Sequence, residues 1–304
     1  MKTLTAAALA AGIALAAGVA QAQPHAKMHP FILAANGPGE AAQVADAVKK
    51  KLADGGFQVV GAYSPYPAVT VVAVTSDALK AAAAQTPFGA YGAVQRISLT
   101  QVKDQVQTAY TNPRYMAAAY RMKGDLGAVA AQLAKILGAE KEYGAEKEAM
   151  TDADLREYHY MFGMEYFTDP HELAQYASYA EAVAAVEKNL AAGASGVSKV
   201  YRVDVPGKEE TVFGVAMNGK KGGGDMQDDA YLMSQIDFKN VRSSAHLPYE
   251  MVVAGKTVYA LSARFRIAIN FPDLSMMGSN SFMSIMDSPD AIKKALTLAA
   301  GGKP

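Results

Sequence analysis

The residues best suited to chemistry lie in the stretch from Tyr110 to Met122. This stretch combines tyrosines, an asparagine and arginines directly after an apolar, strand-like segment. Amide and guanidinium groups could hold a carboxylate or phosphate there through fork-like hydrogen bonds, and binding residues favour loops at strand ends. A capped turn with surface arginines explains the same residues without a ligand. The candidate ligand-binding residues are Tyr110, Asn112, Arg114, Tyr115 and, from a later segment, Arg264.

Arg264 and Arg266 stand two residues apart, just after the segment Lys256–Ser262. If this part of the chain is a strand, both side chains point to the same face. When the two halves of the chain are aligned, Ser262–Arg264 corresponds to Tyr110–Asn112. The two stretches would come together if the halves face each other, and a small anionic molecule is the ligand that suits them.

Histidines and methionines form a second group of candidates, because imidazole and thioether groups suit copper. They are His25, Met28 and His29 near the start of the chain and Met276, Met277, Met283 and Met286 near its end. Pro24 has no amide hydrogen, which excludes an amino-terminal copper site built from successive backbone nitrogens. Met283 and Met286 have helical spacing, which is typical of core residues that fill gaps. We therefore predict no metal site and keep periplasmic copper handling as an alternative.

No other cluster indicates a catalytic centre or a cofactor. The glycine and lysine run after Asn218 lacks the Walker spacing and its strand-to-helix context, and its aspartates do not follow the calcium-loop pattern. His159 and His171 have no nucleophile or paired base at a suitable spacing. We predict no catalytic residues and no cofactor, which argues against an enzyme.

Composition narrows the class of protein further. The chain has 304 residues, 51% of them hydrophobic, with 29 basic and 29 acidic side chains. This balance argues against nucleic acid or an anionic membrane as a partner, and the absence of cysteine excludes disulfides and thiolate sites. Lys2, an alanine-rich apolar run and Ala20–Ala22 predict a signal peptide at residues 1–22, hence a periplasmic or secreted protein. No later run is long enough to span a membrane.

The spacing of apolar residues predicts the elements of the first half. After an extended arm at 23–30 they are a strand at 31–35, a helix at 41–52, strands at 57–63 and 68–75, a helix at 77–85, a hairpin at 94–102 and 105–111, and a helix at 125–137. In the first helix, Ala41, Val44, Val48 and Leu52 form one stripe, as expected of a helix lying on a sheet.

A similar order begins again after a charged, helical connector at 140–170. Ser178 and Glu181 have the spacing of a capping box that opens a helix, and Ser288 would cap a final helix with Pro289 in its first turn. Between these helices we predict strands at 197–203 and 211–217 and a hairpin at 249–253 and 257–262. The sequence therefore predicts an α+β fold of two similar two-layer modules, residues 31–139 and 171–304. Each module would be a small, mostly antiparallel sheet with helices on one face.

Short motifs in both halves resemble the small bacterial α+β module called domain of unknown function family 302. They are Gly56-Phe57, Val69–Val74, Tyr110 and Asn112–Met116 in the first half, and His246–Val253 and Lys256–Ser262 in the second. The second half departs from the pattern through the insert Asn218–Asp229 and a displaced Pro272. The resemblance implies a compact bacterial module, often exported and often self-associating, and it implies no particular activity.

These patterns favour an exported, non-enzymatic binding or accessory protein. Its two modules would hold a small anionic molecule or a partner protein between them. The alternative is an enzyme that acts on a small anionic substrate through Tyr110, Arg114 and Arg264.

Overall fold

The structure is a computed structural model that describes residues 26–304. The predicted signal peptide and His25 lie outside the described residues. In the predicted arm, Met28 forms an antiparallel bridge with Met150. The strands of the first half are β1 (Phe31–Pro38), β2 (Gln58–Tyr63), β3 (Val69–Thr75), β4 (Gln95–Val102), β5 (Gln105–Thr111) and β6 (Lys141–Tyr143). Its helices are α1 (Ala41–Asp54), α2 (Asp77–Ala84), α3 (Pro113–Ala119) and α4 (Gly127–Leu137).

The second half follows a short helix, α5 (Asp152–Arg156), in the connector. Its strands are β7 (His171–Gln175), β8 (Val197–Asp204), β9 (Glu210–Met217), β10 (Tyr249–Ala254) and β11 (Thr257–Ala260). Its helices are α6 (Tyr179–Ala191), α7 (Asp229–Ile236), α8 (Ala263–Asn270) and α9 (Ser288–Ala299). Within residues 26–304, no helix is both long and apolar enough to cross a membrane.

The strands form two antiparallel sheets, which confirms the predicted α+β class. The order in sheet 1 is β2-β3-β4-β5-β1-β6, and the order in sheet 2, read from the corresponding edge, is β8-β9-β10-β11-β7. Sheet 2 therefore has the strand order of sheet 1 without β6. A tandem duplication of one module stays a prediction.

Sheet 1 is covered on both faces. Ile97 and Leu99 of β4 belong to the same apolar core as Val48 and Leu52 of α1, so one face carries helices. Side chains alternate between faces along a strand. On the opposite face of β4, Arg96 reaches Glu250 and Thr100 reaches Ser244, both in the second half.

Sheet 2 repeats this arrangement. Phe213 of β9 lies in a core with Val186 of α6 and Leu296 of α9, on the helix-covered face. Val212 of β9 and Val252 of β10 belong instead to the core built around sheet 1. The helix-free faces of the two sheets therefore pack against each other.

Among the helices and strands given above, α3, β6, β7, α7 and α8 were not predicted. Because α8 is a helix, the expectation that Arg264 and Arg266 point to one face of a strand is wrong. The predicted cap of the last helix is also wrong, since Asp287 precedes the helix and Ser288 is its first residue. Ser178 does cap α6, accepting a hydrogen bond from the Glu181 N–H at 3.2 Å.

Candidate functional site

Two tyrosines proposed as ligand-binding residues are buried and bonded to the backbone. The Tyr110 hydroxyl donates to the Gly138 carbonyl at 3.1 Å, and the Tyr115 hydroxyl donates to the Ile269 carbonyl at 2.7 Å. Burial, with a contribution from Glu142, raises the pKa of Tyr110 to about 12. Both hydroxyls stay protonated near neutral pH and are already used within the fold.

Asn112 and Arg114 lie at the start of α3, in agreement with the interpretation of this stretch as a capped turn. The Asn112 Oδ1 accepts from the Arg114 N–H at 3.2 Å, which satisfies an amide that the helix leaves unpaired. The Asn112 Nδ2 donates to the His29 carbonyl at 2.9 Å and to Glu142 Oε2 at 3.2 Å. These contacts tie the amino-terminal arm and β6 to the end of β5.

Arg264 lies elsewhere, with its own acidic partners. One of its terminal nitrogens is 3.0 Å from Asp290 Oδ1, and the other is 3.8 Å from Glu165 Oε1. The structure therefore places the Tyr110 hydroxyl and the Arg114 guanidinium at opposite ends of α4, beside Gly138 and Gly127. Arg264 pairs with Asp290 and Glu165 and joins neither of them.

A buried ionic cluster joins the two sheets around Glu250. Its Oε2 accepts from Arg96 at 3.1 Å and from Arg266 at 2.8 Å, and its Oε1 accepts from the Tyr201 hydroxyl at 2.5 Å. Arg266 also donates to the carbonyls of His246 and Pro248. Burial, the largest single effect, would lower the pKa of Arg96, but the combined attraction of Glu250, Tyr120 and Tyr201 outweighs it and the pKa is raised. Among the described residues, only the Arg266 Nε of these charged groups is buried without a hydrogen-bond partner. The paired, buried charges have the properties of a structural link.

The open space lies beside this cluster, in what we call the junction cleft. The turn Tyr63–Pro67 of the first half forms one wall, and the two ends of α7 in the second half form the other. One lobe of about 440 Å³ reaches Asp229, and the other, of about 610 Å³, reaches Asp237. Both volumes fall within the range of small-ligand pockets, and such pockets favour interfaces between domains.

Asp229 is the most unusual group in the cleft. Its side chain is 2% exposed, and its Oδ2 accepts from the Met217 N–H at 3.1 Å and from the Tyr63 hydroxyl at 3.3 Å. Its Oδ1 is buried and has no hydrogen-bond partner within residues 26–304. Burial raises the pKa of Asp229 to about 7, although the two hydrogen bonds oppose the shift. This carboxyl group can therefore either donate or accept a hydrogen bond near neutral pH.

The second lobe contains a similar carboxyl group. Asp237 accepts from the Ser243 N–H at 2.8 Å and from the Ser244 hydroxyl at 3.2 Å, and the Tyr66 hydroxyl donates to Ser244 at 3.1 Å. Burial raises the pKa of Asp237 to about 6. In each lobe, a tyrosine from the first half therefore approaches an aspartate from the second.

Cationic side chains also line the junction cleft. Lys220 and Lys221 border the Asp229 lobe, while Lys103 and Arg242 border the Asp237 lobe. Because their raised pKa values leave both buried aspartates partly neutral, these cations favour a small anion.

The residues of this site were not predicted from the sequence, in which the insert before α7 fits neither a phosphate loop nor a calcium loop. The nearest signals were the paired aspartates at the start of α7 and the tyrosines of the Tyr63–Pro67 turn. Nothing in their spacing, which exceeds 150 residues, indicates that they meet.

Within residues 26–304, no group of three or more histidine, aspartate or glutamate side chains is arranged to hold a metal ion.

Comparisons of the chain with family models, with curated proteins and with solved structures found no match.

Proposed function

We propose that this is an exported, non-enzymatic binding protein that holds a small anionic molecule in the junction cleft. The signal-like residues 1–22 support export. The observation that carries the proposal is the convergence of the two halves on one polar cleft, where Tyr63 meets Asp229 and Tyr66 approaches Asp237 through Ser244.

The charges of the cleft support an anion as the ligand. Lys220 and Lys221 are exposed at the rim of the Asp229 lobe. The nearby Asp228 uses its oxygens on the backbone N–H groups of Gly219, Ala230 and Tyr231. An anion bound in the lobe beside Asp229 repels its ionised form and so stabilises the protonated one. Binding should therefore weaken as the pH rises through about 7.

The enzymatic alternative has less support. It needs Tyr110, Arg114 and Arg264 around one substrate, but the Tyr110 hydroxyl donates to Gly138 and Arg264 pairs with Asp290. A perturbed carboxyl group in a cleft is compatible with acid–base chemistry. The junction cleft is therefore also where an enzymatic activity would be sought.

A thermal-shift screen tests the proposal directly. The mature protein is heated with small carboxylates, phosphate and sulfate at pH 6 and at pH 8. A specific ligand raises the melting temperature by mass action. We expect at least one of these anions to do so, with the larger rise at pH 6.

A matched pair of variants locates the binding. The double variant K220Q/K221Q removes two charges at the cleft and should lose most of the thermal shift. The control K50Q/K51Q makes the same change at the end of α1, in the other half, and should respond like the wild type. The proposal is wrong if no anion shifts the melting temperature, or if both double variants respond equally.

A further inference from the structure

The loop between α8 and α9 exposes four methionines. Met276, Met277, Met283 and Met286 are between 43% and 74% exposed. Sequence spacing indicated that Met283 and Met286 fill the core, and this expectation is wrong. Burying a methionine side chain stabilises a protein, because its apolar surface is removed from water. Four exposed thioethers within eleven residues forgo that stabilisation, which calls for an explanation.

The backbone of the loop brings three of these residues together. The Phe282 N–H donates to the Ser275 carbonyl at 2.8 Å, and the Met283 N–H donates to the Met276 carbonyl at 3.2 Å. The loop is thereby folded back on itself, with Met276 beside Met283. The Met286 N–H donates to the Met283 carbonyl at 3.4 Å, which places Met286 one tight turn further on.

Flexible side chains complete this arrangement. Methionine is unbranched and has three rotatable bonds, so thioethers on adjoining backbone positions can turn toward a common point. An aromatic residue flanks them on one side: the Tyr160 hydroxyl contacts the Met276 sulfur, and the Tyr160 ring centroid lies 5.8 Å from that of Phe282.

The chemistry of the loop selects one class of ligand. From Ser275 to Met286 there is no charged side chain, and the donors are thioethers, hydroxyls and one amide. Hard divalent cations prefer carboxylate oxygens, whereas soft thioethers select Cu(I). A neutral set of sulfur ligands also suits a single positive charge better than a double one.

We propose that Met276, Met283 and Met286 bind a soft monovalent metal ion of the Cu(I) class. This site is separate from the junction cleft, and neither proposal depends on the other. It differs from a surface that docks an apolar partner, because the sulfur atoms and not the apolar area are required.

The test is a titration of the mature protein with Ag(I), a redox-stable soft ion, followed by calorimetry and native mass spectrometry. The wild type should bind one ion tightly. The double variant M283L/M286L keeps the apolar volume but lacks two sulfurs. We expect its affinity to fall by at least the roughly 10- to 100-fold that the loss of a supporting residue costs a metal site.

Two controls make the result decisive. M150L replaces a methionine outside the loop and should bind Ag(I) like the wild type. Zn(II) should not compete with Ag(I), and a Cu(I) chelator should leave some Cu(I) on the wild type. Equal Ag(I) binding by the wild type and M283L/M286L, or no binding by either, would overturn the proposal.

Discussion

Glu250 carries one negative charge but contacts two positively charged side chains. Arg96 and Arg266 both donate to its Oε2, and all three side chains are almost fully buried. Removing one partner of a buried ion pair is strongly destabilising, because the remaining charge is left without compensation. The position of Glu250 between β4 and α8 therefore makes it a link between the two halves of the chain.

Asp229 gives the molecule an unusual dependence of stability on pH. Its pKa is about 7 in the folded protein and close to its ordinary value of 3.8 when unfolded. Between these values the folded state keeps a proton that the unfolded state has lost, so the free energy of unfolding falls as the pH rises from about 4 to about 7. Asp237, whose pKa is raised to about 6, acts in the same direction.

We expect D229N to remove the contribution of Asp229 to this dependence. The asparagine stays neutral, and its oxygen can still accept from the Met217 N–H. Each pKa unit corresponds to about 1.4 kcal/mol, so D229N should gain up to a few kcal/mol relative to the wild type between pH 5 and pH 8. Urea denaturation at both pH values measures this gain, and D225N, at an exposed position of the same segment, serves as the control. An unchanged difference between D229N and the wild type would contradict the shifted pKa.

At the residue scale, the sequence allowed local roles to be predicted but not long-range partners. The cap formed by Ser178 depends on residues three positions apart, and the structure confirms it. The capped-turn interpretation of Asn112 agrees with its bond to the Arg114 N–H. The burial of Asp229 depends on Tyr63, which lies more than 150 residues away. No local sequence pattern predicts such a contact.

At the element scale, long periodic segments were predicted and short ones were missed. The residues from Ala263 to Asn270 alternate arginine with Phe265 and Ile267, which is typical of a strand, yet they form the helix α8. Within eight residues, the periodicity of a helix and the alternation of a strand are hard to distinguish. Contacts decide the outcome, since α8 is almost wholly buried and its Arg266 pairs with Glu250.

The pairing of β8 with β9 yields a prediction about one glycine. Gly214 lies opposite Tyr201, and a Cβ at position 214 would overlap the Tyr201 ring. Alanine normally suits a strand better than glycine does. Here we expect G214A to lower the free energy of unfolding by about 1–3 kcal/mol, as overpacking does, and to disturb the bond from Tyr201 to Glu250.

Denaturation with urea tests this expectation, with G37A as the control. Gly37 also lies in a strand, but a Cβ there would meet no atom within 4 Å among the described residues. G37A should change stability by no more than about 0.5 kcal/mol. If G214A were as stable as G37A, the close packing of β8 on β9 would be refuted.

At the scale of the whole molecule, the sequence showed two similar sets of elements but not how they pack. Along β4, the polar residues Arg96, Ser98 and Thr100 alternate with Ile97 and Leu99. This pattern is typical of a sheet with one face in water. In the structure the polar face is covered by the second half instead. The corresponding strand orders support a duplication, which stays a prediction together with the family resemblance.

The shared core predicts how the molecule unfolds. Val72 and Ile97 of sheet 1 lie in one apolar cluster with Val212 and Val252 of sheet 2. Separating the halves would expose Val212 and Val252 and leave Arg96 without Glu250. Neither half can therefore unfold without a large cost to the other. We expect a single cooperative transition, although chains of this length often unfold domain by domain.

Calorimetry and hydrogen exchange together test this expectation. A single transition requires the calorimetric enthalpy to equal the van't Hoff enthalpy, and the slowest amides of β4 and β10 should exchange with the same free energy. E250Q should lower that free energy by roughly 3–5 kcal/mol in both strands at once, because it leaves two buried arginines without a negatively charged partner. The exposed E209Q is the control and should leave both strands unchanged. Two separate transitions, or an effect of E250Q confined to β10, would show that the halves are independent domains whose contact contributes little to stability.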